Sequence, residues 1–108
     1  MGERMLAAMI VAAAAACAVE SYADDGHTIV QRGRTFHPSE ISISRGDTLT
    51  FSNQDAFLHQ IYVKSGPMSF DSDEQPPGQD VNVVFPASGT FEVRCHIHPK
   101  MSLIVHVR

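Results

Sequence analysis

The chain has 108 residues, a length that supports one domain with a modest hydrophobic core. Its 12 acidic residues outnumber its 8 Lys and Arg residues, which gives a formal net charge of −4 at pH 7. Proteins that bind nucleic acid through its phosphates carry a basic surface. The charge balance therefore argues against nucleic acid as a partner.

The first part of the chain has the pattern of an export signal. Arg4 precedes an apolar, alanine-rich segment at residues 6–19, which is too short to span a bilayer. Ser21-Tyr22-Ala23 is typical of a cleavage site, and lipidation of Cys17 is the alternative. We therefore predict a signal peptide at residues 1–23 and one domain at residues 24–108, exported to the periplasm without a membrane span.

Strand patterns dominate the rest of the chain, and no stretch there has a convincing helical period. Short runs of β-branched and aromatic residues alternate with polar residues, and Gly and Pro separate the runs. This spacing is typical of a sandwich of short strands, so we predict an all-β fold, a Greek-key antiparallel β-sandwich. The predicted strands lie at residues 27–31, 41–43, 48–51, 61–63, 81–85, 90–94 and 103–107.

Residues 64–80 interrupt the strand pattern. Glycine, proline and acidic residues are frequent there, which predicts a long polar loop with room for one helical turn. The acidic side chains form either a solvated surface or a docking patch for a basic partner, and the sequence leaves both open. These side chains are Asp71, Asp73, Glu74 and Asp80.

Cys95 is the only cysteine in the predicted mature domain. A single cysteine cannot form an internal disulfide, and a free thiol in an oxidising compartment is a liability. A bound metal ion would occupy this thiol. Intermolecular disulfide pairing is the other explanation.

Strand periodicity indicates where the side chains near this cysteine point. Successive side chains on a strand face opposite sides, so Cys95 shares an apolar face with Phe91 and Val93. His59 shares a face with Ile61 in the same way. Both side chains are therefore predicted to emerge on the core side of a strand end, where a metal site can be held rigidly.

The segment from Cys95 to Met101 combines a thiol, imidazoles and a thioether. His98 follows Cys95 by three residues, Met101 follows His98 by three, and His59 offers a further imidazole from upstream. A soft thiolate, two imidazoles and a weak axial thioether suit copper in both of its oxidation states. The sequence therefore predicts one copper site built from His59, Cys95, His98 and Met101.

A set of motifs along the domain extends this interpretation. They are Phe36-x-Pro38, Gly46-Asp47-Thr48, residues 53–59, Gly89-Thr90-Phe91 and Cys95-x-x-His98-x-x-Met101. Together and in this order they resemble the cupredoxins, the small type 1 blue-copper proteins. The spacing of the last motif is most similar to that of amicyanin, because plastocyanin has a longer His-to-Met loop.

The resemblance implies an eight-stranded Greek-key sandwich with one type 1 copper near one end, held by His59, Cys95, His98 and axial Met101. It implies a monomer that transfers single electrons, without catalysis, to a transiently docked cytochrome or dehydrogenase. The alternative is a protein for copper tolerance or trafficking, because the same ligands would serve to trap copper. An oxidase or nitrite reductase is disfavoured, because the domain is too small to supply a second metal site.

Three positions depart from the cupredoxin pattern. Gln60 follows the first histidine, where the family usually has an asparagine whose amide ties the ligand loops together. Lys100 occupies a position that is apolar in amicyanin. His96 follows the cysteine as in multicopper oxidases, but Arg94 replaces the histidine that precedes the cysteine there. We therefore predict that His96 is an outward-facing, solvated imidazole.

Overall fold

A computed structural model describes residues 26–108. The predicted signal peptide, its cleavage site and Cys17 lie outside these residues. Over the described range the regular structure is all β-strand, and no helix there is long and apolar enough to cross a membrane. The strands are β1 (Gly26–Gln31), β2 (Phe36–His37), β3 (Glu40–Ile43), β4 (Thr48–Asn53), β5 (Ile61–Lys64), β6 (Ser69–Asp71), β7 (Asp80–Val84), β8 (Gly89–Cys95) and β9 (Ser102–Val107).

The strands form two sheets around one shared core, which confirms the predicted all-β sandwich. One sheet has four strands in the order β2-β1-β4-β7, and the other has five in the order β3-β9-β8-β5-β6. The chain crosses repeatedly between the sheets, so strands that follow one another in sequence are often not neighbours in space. This is the connectivity expected of a Greek-key arrangement.

Not every strand pair is antiparallel, which corrects one detail of the predicted fold. β1 runs parallel to β4, and β3 runs parallel to β9. The other strand pairs between residues 26 and 108 are antiparallel. Alternation in a sequence identifies the buried face of a strand, but the direction of its neighbour depends on where the chain returns to the sheet.

The short strands β2 and β6 were not predicted from the sequence. β6 lies within residues 64–80, where the prediction was a polar loop with room for a helical turn, and that turn is absent. Gln75 in the same segment is buried rather than solvated, and the apolar Met68 packs in the core. Strands of two or three residues are too short to show alternation, so only their pairing in the tertiary structure defines them.

The pairing of β5 with β8 positions the residues of interest. β8 buries Phe91, Val93 and Cys95, as its alternation predicts. Ile61 at the start of β5 is opposite Cys95 at the end of β8. His59 precedes Ile61 by two residues and is therefore carried to the same end of the sandwich, where the loop at residues 96–101 leaves β8.

Candidate metal centre

Three side chains with metal-binding atoms meet at this end of the sandwich. The donor atoms of His59, Cys95 and His98 lie within 4.8 Å of one another, and His59 Nδ1 is 3.7 Å from Cys95 Sγ. His59 is fully buried and Cys95 is 1% exposed, whereas His98 is partly exposed. The fold thus brings together three of the four side chains that the sequence predicts as ligands.

Asp55 sets the orientation of the His59 ring. Its Oδ2 lies 2.7 Å from His59 Nε2, across four positions of the chain. With the Nε2 proton donated to the carboxylate, the lone pair of Nδ1 is free on the side of Cys95. The sequence pattern does not predict this role of Asp55, and the four-residue spacing from His59 is the only local signal for it.

The carboxylate of Asp55 is itself held by the turn after β1. It accepts main-chain hydrogen bonds from Gly33 at 2.6 Å and Arg34 at 3.2 Å, two residues with positive φ angles of 65° and 56°. Burial alone raises the pKa of this carboxyl, but the hydrogen bonds from His59, Gly33 and Arg34 outweigh burial and lower the pKa below its ordinary value. Asp55 therefore stays ionised at neutral pH and holds His59 in one tautomer.

A buried amide network supports the loop that carries His59. Gln75 and His59 exchange main-chain hydrogen bonds of 3.1 and 2.7 Å. The buried Gln75 side chain accepts a hydrogen bond from Gln31 at 2.9 Å. Asn53 donates to the carbonyl oxygens of Phe57 and Gln75 at 2.9 Å. Leaving one such buried group unpaired costs about 1–3 kcal/mol, so the network favours a single arrangement of this loop.

His98 occupies the exposed side of the cluster. Its Nδ1 is buried and has no hydrogen-bond partner within the part of the chain that the structure describes. Burial, and after it the neighbouring His59 and Arg34, lower the pKa of His98. A neutral imidazole with a buried, unpaired nitrogen beside a thiol suits a metal ligand, and a bound copper would give that nitrogen a partner.

Phe57 packs against both imidazoles of the cluster. Its ring centroid lies 5.5 Å from that of His59 and 5.0 Å from that of His98. The two imidazoles are themselves 5.0 Å apart and inclined by 65°. These contacts restrict rotation of both rings, so the donor atoms are held in place by packing.

The main chain of Gln60 joins the two ligand loops, although its side chain does not. Its N–H donates to Cys95 Sγ at 3.4 Å, and its carbonyl accepts a hydrogen bond from the His96 N–H at 2.9 Å. The side-chain amide of Gln60 donates instead to Asp71 at 2.9 Å. The connection expected from an asparagine at this position is therefore supplied by backbone groups.

Met101 is buried beside the cluster. It is 2% exposed, and its main-chain N–H donates to the carbonyl of His98 at 3.0 Å. This bond closes the loop between Cys95 and β9 into a tight turn. Met101 and His98 also line the same surface cavity. The role of Met101 as an axial ligand stays a prediction.

His96 faces away from the cluster. Its ring stacks on Tyr62, with centroids 3.8 Å apart and an interplanar angle of 11°, and its Nε2 lies 3.0 Å from Asp71 Oδ2. The side chain is exposed, in agreement with the prediction of an outward-facing imidazole. Among residues 26–108, His59, Cys95 and His98 form the only cluster of three or more His, Cys, Asp or Glu side chains with metal-binding geometry.

Comparison with known proteins identifies the kind of site. The profile of "Copper binding proteins, plastocyanin/azurin family" matches residues 27–108, nearly the whole described range. Amicyanin-alpha of Methylorubrum extorquens is 35% identical, over 83% of this chain and 81% of that protein. Chloroplastic plastocyanin of Physcomitrium patens is 28% identical over 91% of this chain, and the match spans 62% of the length of that relative.

The same fold occurs in larger copper proteins. The copper-containing nitrite reductase of Thermus scotoductus SA-01 superposes with a TM-score of 0.71 and 27% identity, over 84% of this chain and 23% of that enzyme. Fold, donor set and family match agree with one another. The chain belongs to the plastocyanin/azurin family of copper-binding proteins, the cupredoxins, and the cofactor of its site is copper.

Proposed function

We propose that this protein carries single electrons between redox partners, with copper held by His59, Cys95, His98 and axial Met101. The observation that carries the proposal is the His59–Cys95–His98 cluster, which is buried except for the partly exposed His98. Copper held by these residues would supply one-electron redox chemistry. The proposal assigns no catalytic residue.

The surroundings of the cluster support a carrier because they hold the ligands in fixed positions. Asp55 fixes the ring of His59, the backbone of Gln60 fixes Cys95, and Phe57 packs against both imidazoles. Near neutral pH, ligands that are held by packing and hydrogen bonds change position little when the charge of the site changes. A small rearrangement is what fast electron exchange requires.

The exposed side of His98 is the proposed point of electron entry and exit. Ile97 beside it is 41% exposed, and it lines a mostly apolar cavity together with His98 and Pro99. A small apolar contact with a polar, hydrated rim suits a transient interface between two proteins. We propose a cytochrome or a dehydrogenase as the partner of a monomeric carrier.

The proposed location is the periplasm, which follows from the export signal proposed at residues 1–23. The family match begins at residue 27, shortly after the proposed cleavage site, and so supports a mature domain at residues 24–108. N-terminal sequencing of the protein isolated from cells tests this directly. A chain that still begins at Met1 would contradict export by cleavage.

Two measurements test the carrier function against copper tolerance. Copper(II) binding at 1:1 stoichiometry with intense visible absorption is expected for either function. The electron self-exchange rate, measured at high salt where surface charges are screened, separates them, because a carrier exchanges electrons rapidly whereas a protein that traps copper has no need to. Slow self-exchange in a protein with an intact visible spectrum would favour the copper-tolerance alternative.

Replacing the proposed axial ligand is expected to shift the reduction potential. Met101→Gln should retain copper but lower the potential, because the harder amide oxygen stabilises copper(II) relative to copper(I). Cyclic voltammetry of the variant and the parent protein measures the shift. An unchanged potential with copper still bound would show that Met101 only packs in the core.

The two histidines of the ligand loop are expected to differ in effect. His96→Ala should leave the visible spectrum nearly unchanged, because the ring of His96 contacts Tyr62 and Asp71 rather than the cluster. His98→Ala should disrupt the spectrum. The two variants are matched in size and lie two positions apart, and the reverse result would mean that the wrong imidazole is assigned to copper.

A further inference from the structure

The surface around His98 is apolar at its centre and carries two exposed cations. A shallow cavity of about 380 Å³ opens at this surface, and most of its exposed lining is apolar. The cations, Arg34 and Lys100, come from different loops, and Arg34 lies over the Phe57 ring at 4.9 Å. The cavity is lined by Arg34, Ile97, His98, Pro99, Lys100 and Met101.

No carboxylate lines this cavity in the part of the chain that the structure describes. Asp55 is turned inward, toward His59 and the N–H groups of the turn after β1. Arg94 donates to the carbonyl oxygen of Pro99, but its charge is offset by Glu92 at 3.3 Å. Within residues 26–108 neither Arg34 nor Lys100 forms an ion pair, so their positive charges are offset only in part, by the inward-turned carboxylate of Asp55.

The charge of this surface is opposite to that of the chain as a whole. The chain is formally negative, with a net charge of −4. Exposed acidic residues are concentrated elsewhere, at β6 and the segment after it, where Asp71, Asp73 and Glu74 lie at the edge of the five-stranded sheet. A locally positive surface on a negative protein orients an approaching charged partner, since the field acts before contact.

We propose that the surface formed by Arg34, Ile97, His98 and Lys100 docks a redox protein whose contact surface carries carboxylates around an apolar centre. The proposal rests on the electron-carrier function and adds the charge of the partner. Arg34 and Lys100 steer and orient the encounter, and the apolar centre provides the contact at His98. A second copy of this chain is a poor occupant, because it would bring cationic surfaces together.

The charge of this surface can be measured with small redox complexes of opposite sign. We expect oxidation of the reduced protein by hexacyanoferrate(III), followed by stopped flow, to slow as ionic strength rises. Oxidation by tris(phenanthroline)cobalt(III) should lack this dependence. Lys100→Glu should lower the hexacyanoferrate rate constant by about tenfold at low salt, the lower end of the range for electrostatic steering. Arg34→Gln should lower it in the same direction.

The matched control is Lys64→Glu, which makes the same charge change at the other end of β5 from Ile61, about 10 Å along the strand from the Ile61–Cys95 pair, and outside the lining of the cavity at His98. At 0.1 M salt, where exposed charges more than about 10 Å apart are largely screened, we expect the Lys64→Glu rate constant to stay within about twofold of the parent value while Lys100→Glu still lowers it. The visible spectrum confirms that each variant retains its copper site. Equal effects of Lys64→Glu and Lys100→Glu would overturn the proposal.

A binding measurement keeps the docking surface separate from the carrier function. Paramagnetic hexacyanochromate(III), added to the reduced protein, should broaden the NMR amide signals of Arg34, Ile97 and Lys100, and Lys100→Glu should weaken this broadening. The measurement involves no electron transfer, so it can succeed even where self-exchange is slow and the carrier function fails. Broadening confined to other residues, or a dimer that buries this surface in sedimentation experiments, would overturn the proposal.

Discussion

Cys95→Ser is expected to abolish the intense visible absorption of the copper-loaded protein. The absorption comes from charge transfer between a thiolate and copper, and a serine hydroxyl is neither deprotonated near neutral pH nor a soft donor. Cys95 Sγ lies 3.7 Å from His59 Nδ1, and it belongs to the same cluster of donor atoms as His98. Within residues 26–108, Cys95 is the only cysteine that could supply a thiolate to this cluster. Titration with copper(II), followed by visible spectroscopy, measures the effect.

The fold of this variant can be controlled independently of its colour. Serine is nearly isosteric with cysteine, and its oxygen can accept the Gln60 N–H that now donates to Cys95 Sγ. The apo forms of the parent and the variant should therefore both unfold cooperatively. Their free energies of unfolding should differ by about 0.5–3 kcal/mol at most, the range typical of single substitutions. Visible absorption that survives in a folded Cys95→Ser protein would mean that the thiolate is not the source of the band.

The reduction potential is expected to rise as the pH falls from about 8 to about 4.5, by up to about 59 mV per pH unit. Copper(I) accepts three ligands readily, so His98 on the exposed loop is the ligand that a reduced site would release, and its free imidazole would then take up a proton. Burial, and after it His59 and Arg34, lower the pKa of His98, so uptake begins below the ordinary value for histidine. Cyclic voltammetry across this pH range measures the slope.

The potential rises in acid because the proton binds only one oxidation state of the protein. A proton that binds only the reduced protein stabilises copper(I), so acid raises the potential and the carrier gives up its electron less readily. His59 is not expected to leave, because it is fully buried and donates to Asp55, whose pKa is held low. His96→Ala should keep the same slope, which excludes titration of the neighbouring imidazole. A flat potential would show that His98 stays bound in both oxidation states.

Local sequence was enough to predict the longer strands and the three donor residues that the structure brings together, His59, Cys95 and His98. The alternation of β8 predicts that Cys95 points inward with Phe91 and Val93, and all three are buried. Cys95, His98 and Met101 lie within seven consecutive residues, so their donor atoms cannot be far apart in space. Such inferences succeed because side-chain direction has a fixed period along a strand, and because a few residues of chain can reach only a short distance.

Only the tertiary structure decided the contacts between segments that are far apart in the sequence. Gln75 lies in a polar segment that predicts solvation, yet it is buried because its backbone pairs with His59. The turn after β1 supplies the N–H groups that hold Asp55, and it also brings Arg34 to the surface around His98. The parallel pairing of β1 with β4 likewise leaves no trace in either strand. Alternation shows which face of a strand is buried, and spacing limits how far apart two nearby residues can lie. These long-range contacts depend instead on which distant segments become neighbours when the sandwich forms.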